Sequence, residues 1–267
     1  MLAGVAWSSL AWATPRQLLF SYPNETLPAG SVEIESMVDV NPLRTPADPA
    51  STDAGNLWTP QYTLQTELEY GITDRWELGF YQVFKAEPQA GGDNLLGFDG
   101  LKWRVRTRLA EPGQWPVDVG FYLELEPMHD ELALDEKVNL QRRLGRLTWM
   151  ANLWVEEVLE RPLDTSAHGR AGHFIINPTS GLVLQVSPAF HPGIEFWARG
   201  QLSKTGDTPQ DRDNSGMHYF VGLTSHVNFG RFWWSAGLYV HANGAKTPQP
   251  GDAYGPVWFR SILGLEL

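Results

Sequence analysis

The chain has 267 residues, 31 acidic against 20 basic side chains, a formal charge of -11, 12 tryptophans and no cysteine. Without cysteine there is no disulfide framework, thiolate zinc site or cysteine nucleophile, and a net negative chain with scattered bases is poorly suited to neutralising nucleic-acid phosphates. An aromatic content of 12% is too high for a solvated coil, and no apolar run approaches the roughly 20 residues of a membrane-spanning helix.

Residues 1–13 are uncharged and end in Ala11, Trp12 and Ala13, followed by Thr14 and Pro15. The small-x-small ending reads as a cleavable export signal that lacks the usual basic n-region, or else as a short buried N-terminal segment. Residues 14–29 are then expected to form a periplasmic N-terminal segment, with the folded body over 30–267.

From residue 30 onward the dominant pattern is alternation of apolar and polar residues in stretches of about ten, the period of a strand with two different faces. Over 30–40, Val32, Ile34, Val38 and Val40 share one face, opposite Glu33, Glu35 and Asp39. Over 58–70, Tyr62, Leu64, Leu68 and Tyr70 oppose Gln65, Glu67 and Glu69. Over 75–84, Trp76, Leu78, Phe80 and Phe84 oppose Glu77, Gly79 and Tyr81. The next two are the sharpest: Leu101, Trp103, Val105 and Leu109 alternate with Lys102, Arg104, Arg106 and Arg108, and Val117, Val119, Phe121, Leu123 and Leu125 alternate with Asp118, Tyr122, Glu124 and Glu126. Seven further stretches fall near 136–144, 146–157, 180–187, 193–202, 216–226, 231–241 and 256–267, which makes twelve strands.

Short connections at 71–74, 110–116, 144–145, 188–192 and 227–230 alternate with long ones, rich in Pro, Gly and Asp, at 41–57, 85–96, 127–135, 158–179, 203–215 and 242–254. An even number of antiparallel strands with tight turns at one end and long loops at the other predicts an all-β fold. It is a single antiparallel 12-stranded transmembrane β-barrel with periplasmic turns and extracellular loops. A soluble two-sheet sandwich could also bury the apolar parity. Eight strands already suffice for side chains to fill a barrel, so twelve filled with aliphatic residues alone would leave a void. The polar parity is therefore assigned to the lumen and the apolar parity to lipid. Tyr70 and Trp76 flank a short turn on the apolar face, as aromatic residues do at a membrane interface.

The segments SYPNETLPAGSVEIE (21–35), YGITDRWELGFYQVF (70–84), FDGLKWRVRTRL (98–109), VDVGFYLELE (117–126) and SPAFHPGIEFWARGQ (187–201) resemble a family of Gram-negative outer-membrane proteins, the transporters of the phenol-degradation meta-pathway type. The resemblance implies a β-barrel in the outer membrane and passage of small molecules. It brings no functional residues with it. Such proteins commonly end in an aromatic residue, whereas this chain ends in Leu267.

On the inner wall, Lys102, Arg104, Arg106 and Arg108 form a basic column. A hairpin centred near Gly113 would set Arg108 opposite Asp118 and Lys102 opposite Glu124, with Glu126, Glu33, Glu35, Asp39, Glu67 and Glu69 adding acidic groups. This charged wall reads either as a constriction that selects solutes or as a salt-bridge network that fills the barrel. Trp154, Trp197, Trp233, Tyr239 and Trp258 fall on the same parity. They would suit a weakly polar or aromatic solute or simply pack the lumen. His241 lacks a neighbouring serine, since position 242 is alanine. His168 and His173 share a long loop with no third ligand, and Asp130, Glu131, Asp135 and Glu136 read by default as a solvated acidic surface loop, with divalent-ion binding at the lipopolysaccharide surface as the other reading.

The expected function is a passive channel or facilitator for small organic solutes, hydrophobic or aromatic ones included. A plugged barrel whose loops bind a surface partner and a lipid-modifying enzyme are the other readings. Neither a cofactor nor a bound metal is expected. The expected partners are outer-membrane lipid, lipopolysaccharide, the barrel-assembly machinery acting on the C-terminal strand, and a small solute; nucleic acid is not among them.

Overall fold

The computed structural model describes residues 16–44, 58–87, 95–129, 131–160, 172–201, 216–243 and 254–267. The export signal expected over 1–13, His168 and Asp130 lie outside the described residues. The strands are β1 (Val32–Arg44), β2 (Trp58–Thr73), β3 (Trp76–Ala86), β4 (Gly97–Arg108), β5 (Asp118–Pro127), β6 (Glu131–Leu144), β7 (Leu147–Glu160), β8 (Gly172–Ile176), β9 (Thr179–Leu184), β10 (Phe190–Gln201), β11 (His218–Asn228), β12 (Phe232–His241) and β13 (Val257–Glu266).

Successive strands other than β8 and β9 pair antiparallel, and β1 closes the ring by pairing with β13, from Glu33 opposite Glu266 to Val40 opposite Phe259. β8 and β9 both lie between β7 and β10. They are two halves of one stave interrupted at Asn177 and Pro178, so the closed wall has twelve staves. Proline has no N–H for the ladder, yet its carbonyl accepts from the Ala198 N–H at 3.0 Å, and the Asn177 N–H donates to the Trp154 carbonyl at 2.9 Å. The wall stays bonded across the break.

Several strands run further than their sequence pattern indicated. The eighth stave starts at Gly172 rather than near 180, the turn after it spans 185–189 rather than 188–192, and β6 starts at Glu131 rather than near 136. Asp135 and Glu136 are therefore not an acidic surface loop. They are successive strand residues facing opposite ways, Asp135 fully buried in the lumen and Glu136 exposed on the outer wall. β1 continues to Arg44 because Pro42 sits opposite Pro60, where neither residue requires an N–H from the other.

The two parities separate as polar inside and apolar outside. In β2, Glu67 and Glu69 are 2% and 3% exposed while Leu68 and Tyr70 are 48% and 46% exposed. In β5, Tyr122 and Glu124 are buried, whereas Phe121, Leu123 and Leu125 are exposed. The outer wall is an apolar belt far larger than the patches that single water-exposed domains tolerate, the surface expected of a barrel embedded in hydrocarbon. The tight turn at Gly145 needs a positive φ of 64°, which glycine adopts without the steric cost of a Cβ.

The N-terminal segment departs most from expectation. Residues 16–28 do not lie outside the barrel; they run through its interior, with Leu18, Leu19, Ser21 and Leu27 wholly buried. This strap joins the wall backbone near the short-turn end, where the Gly30 N–H donates to the Gly71 carbonyl at 2.8 Å and the Gly71 N–H to the Ser31 carbonyl at 3.0 Å. A Cβ on Gly71 would lie 2.1 Å from the Pro28 carbonyl oxygen, so only glycine lets the strap pass there.

Candidate functional site

Residues from every side of the ring meet in the lumen, and the charged wall is centred on the sector formed by β1 to β6, with Glu156, Arg199 and Arg260 extending it. Arg104 is central, with its guanidinium 2.9 Å from Glu67, 2.8 Å from Glu69 and 2.6 Å from Glu77. Arg106 grips the same Glu77 with two parallel hydrogen bonds, Nε to Oε1 at 2.7 Å and Nη2 to Oε2 at 2.9 Å. Lys102 lies 2.7 Å from Glu126 and 3.5 Å from Glu124. Arg16 of the strap reaches Glu35 at 3.3 Å, and Glu33 accepts the indole N–H of Trp233.

The register of the β4–β5 hairpin differs by two residues from the expected one. Arg104 faces Glu124 and Arg108 faces Gly120. Arg108 turns instead to Glu111 at 2.6 Å and to the Asp74 carbonyl, while Asp118 accepts the Gly113 N–H at 2.8 Å. The 109–117 turn builds its own contacts and so moves the hairpin centre away from Gly113. Hydrogen bonds from Arg108 and Arg75 hold the exposed Glu111 carboxyl below the usual carboxylate range.

Twelve charged residues were assigned to the lumen from sequence, and all lie on the inner parity: Lys102, Arg104, Arg106, Arg108, Asp118, Glu124, Glu126, Glu33, Glu35, Asp39, Glu67 and Glu69. The sequence reading missed Glu77, Asp135, Lys137, Glu156, Arg199 and Arg260 as members of the network. Arg199 and Glu156 meet at 2.6 Å, and Arg260 holds Asp39 through two hydrogen bonds of 2.6 and 2.7 Å. Glu77 was already on the polar parity, so its alternation was the available signal. Two carboxylate groups, Glu35 with Glu67 and Glu69, and Glu124 with Glu126 and Asp135, converge closely enough for a cation. Arginine or lysine already sits on each, Arg16 and Arg104 on the first, Lys102 and Lys137 on the second.

The five aromatic residues assigned to the lumen also face inward but separate into different settings. Trp154 lies under the Lys137 ammonium, 3.6 Å from its ring centre. Trp233 packs close over Gly264 and donates to Glu33. Trp197, Tyr239 and Trp258 gather around Phe20 of the strap, with Phe220 stacked on Trp197 at 4.1 Å. His241 stacks on Phe220 at 4.6 Å, and its Nε2 lies 3.2 Å from Nδ1 of His218. His173 lies in β8, paired opposite Val158 rather than in a loop.

Polar wall side chains hold the strap along its length. Glu195 accepts from the backbone N–H groups of Leu19 at 2.9 Å, Phe20 at 3.0 Å and Ser21 at 2.6 Å. Asn152 treats Tyr22 as a neighbouring strand would, accepting its N–H at 2.6 Å and donating to its carbonyl at 3.1 Å. Gln141 accepts from the Asn24 N–H and Glu77 from the Leu27 N–H. None of these partners was legible locally, since they lie from 50 to 176 positions away in the chain.

Neither a protein-family profile nor a curated protein sequence matches the chain. Solved structures do. The NanC porin superposes with a TM-score of 0.56 at 8% identity, over 88% of this chain and 100% of that one. An outer-membrane channel from Pseudomonas putida F1 superposes with a TM-score of 0.61 at 13% identity, over 91% of this chain and 98% of that one. The fold is thus that of Gram-negative outer-membrane barrels, and these structural neighbours are channels rather than enzymes.

Proposed function

We propose that the protein is an outer-membrane channel for small, weakly polar organic solutes, closed in the conformation described by its own N-terminal strap. The observation that carries this reading is how the strap is held. Apart from the pairing of 30–31 with Gly71, no backbone bond joins it to the wall among the described residues; side chains hold the rest. Withdrawing it would break no stave of the barrel, whereas a permanent filling would more simply be built from wall side chains.

Beneath the strap lies a surface suited to passage, charged on one side and aromatic on the other, which orients a solute by field and by ring contacts. The apolar belt is the basis for placing the barrel among outer-membrane lipid and lipopolysaccharide, and the C-terminal strand β13, which closes the ring, is the element that the assembly machinery would engage.

Planar-bilayer recordings test the reading. The intact protein should show rare openings, and Glu195→Ala, which removes the acceptor for three strap N–H groups, should raise the open fraction. Arg106→Glu should change the ion selectivity of those openings. Silence from all three proteins, together with no solute uptake into liposomes, would leave the second reading in place, a filled barrel displaying its long connections to a surface partner.

A further inference from the structure

Phe20 sits in a cage made by four wall side chains. Its ring stacks on Trp197 with centroids 4.4 Å apart and an interplanar angle of 22°. Tyr239 meets it edge-on at 5.1 Å and Trp258 at 6.3 Å. The Arg260 guanidinium covers it at 3.9 Å from the ring centre. Stacked, edge-on and cation-π partners around one ring are the contacts that recognise a planar π-system rather than mere apolar volume.

Each wall of the cage is fixed by partners other than Phe20. Asp39 binds Arg260 with two hydrogen bonds and accepts the Trp258 Nε1–H at 2.9 Å. Glu195 accepts the Tyr239 hydroxyl at 2.5 Å. Trp197 lies flat against Phe220, 5° from parallel. The strap is likewise held near Phe20 by its backbone, through Glu195, so the ring contributes a side chain to a receptacle whose shape does not depend on it. Trp258 and Tyr254 carry the aromatic lining toward the end of the long connections, where β13 begins and β12 ends.

We infer that the cage formed by Trp197, Tyr239, Trp258 and Arg260 is a binding subsite for a neutral planar aromatic ring on the solute path, and that Phe20 occupies it as a tethered competitor. The inference rests on the channel reading for its place on a path, but ring binding itself does not require conduction. A tethered ring competes at a high effective concentration. Removing it should therefore strengthen binding of a free ring by about tenfold or more.

The test uses the intact protein in detergent, with benzyl alcohol as probe and cyclohexylmethanol as the saturated control for micelle partitioning, read by tryptophan fluorescence. Phe20→Ala should bind benzyl alcohol at least about tenfold more tightly than the unmodified protein and show no comparable gain for cyclohexylmethanol. Trp197→Leu added to Phe20→Ala should abolish the gain, and Arg260→Gln added instead should weaken it, each variant first shown by heat-dependent gel mobility to be a folded barrel. Equal gains for both probes, no gain in Phe20→Ala, or a gain that survives both second substitutions would overturn the site. Aromatic-selective binding without any conductance would uphold the site and sink the channel reading; conductance without ring selectivity would do the reverse.

Discussion

The Ser21 N–H donates to Oε1 of Glu195 at 2.6 Å, a bond that spans 174 positions of sequence and ties the strap to the wall. The same carboxylate also takes the N–H groups of Leu19 and Phe20. Hydrogen bonds to a charged acceptor contribute about 1.5–3 kcal/mol each, so Glu195→Ala should free the strap without opening the ring. Limited proteolysis should then cut within 16–28 while the barrel still migrates as a folded species on unheated gels. Protection of that segment equal to that of the unmodified protein would refute the role given to Glu195.

Arg104 offers a second measurement. Its guanidinium lies within 3 Å of three carboxylates, and breaking a buried ion pair by removing one partner costs about 3–5 kcal/mol because the remaining charges stay buried. Arg104→Met should lower the urea midpoint of the detergent-folded barrel by a corresponding amount. Changing Glu67, Glu69 and Glu77 to glutamine in the same protein should recover much of the loss. Absence of recovery would mean that shape, not charge, explains the defect.

On the outer wall, Leu123 is exposed in a row between Val105 and Glu136. Arginine on the lipid face near mid-membrane costs about 2–4 kcal/mol. Leu123→Arg should thus reduce the yield of heat-modifiable barrel in lipid, whereas Tyr122→Phe, one position along and facing inward, should not. If Leu123→Arg folded as well as the unmodified chain, the assignment of this face to lipid would be wrong.

Glu111 carries a pH dependence whose direction follows from its depressed pKa. A carboxyl that is more acidic in the folded turn stabilises the turn above its unfolded pKa of about 4.3, and that stabilisation is lost as pH falls through the lower folded value. Because the group is exposed, the effect stays local. The Gln114 N–H, which donates to the Glu111 carbonyl at 3.0 Å, should lose exchange protection in acid, and Glu111→Gln should remove that dependence. A Gln114 amide insensitive to pH in both proteins would count against it.

Much of the wall was legible because alternation carries its own proof: Glu67 and Glu69 point one way and Leu68 and Tyr70 the other whatever the register. Register was less so. Arg108 and Asp118 looked like partners only on the assumption of a symmetric hairpin, and the contacts of Glu111 and Gly113 within the turn broke that symmetry. The acidic pair Asp135 and Glu136 concealed a strand because a charged residue on the lipid face contradicts the pattern being sought. The strap was illegible for a different reason. Residues 16–28 show neither strand nor helix period, and their backbone partners are side chains such as Asn152 and Glu195, distant in sequence and visible only once the ring has closed.

The strap is the immediate forerunner of β1, and β1 joins β13 at the seam that turns the sheet into a cylinder. The pairing of Gly30 with Gly71 anchors its root at the rim beside that seam. The segment is therefore hinged beside the seam, and on the channel reading its departure and return leave that junction sealed.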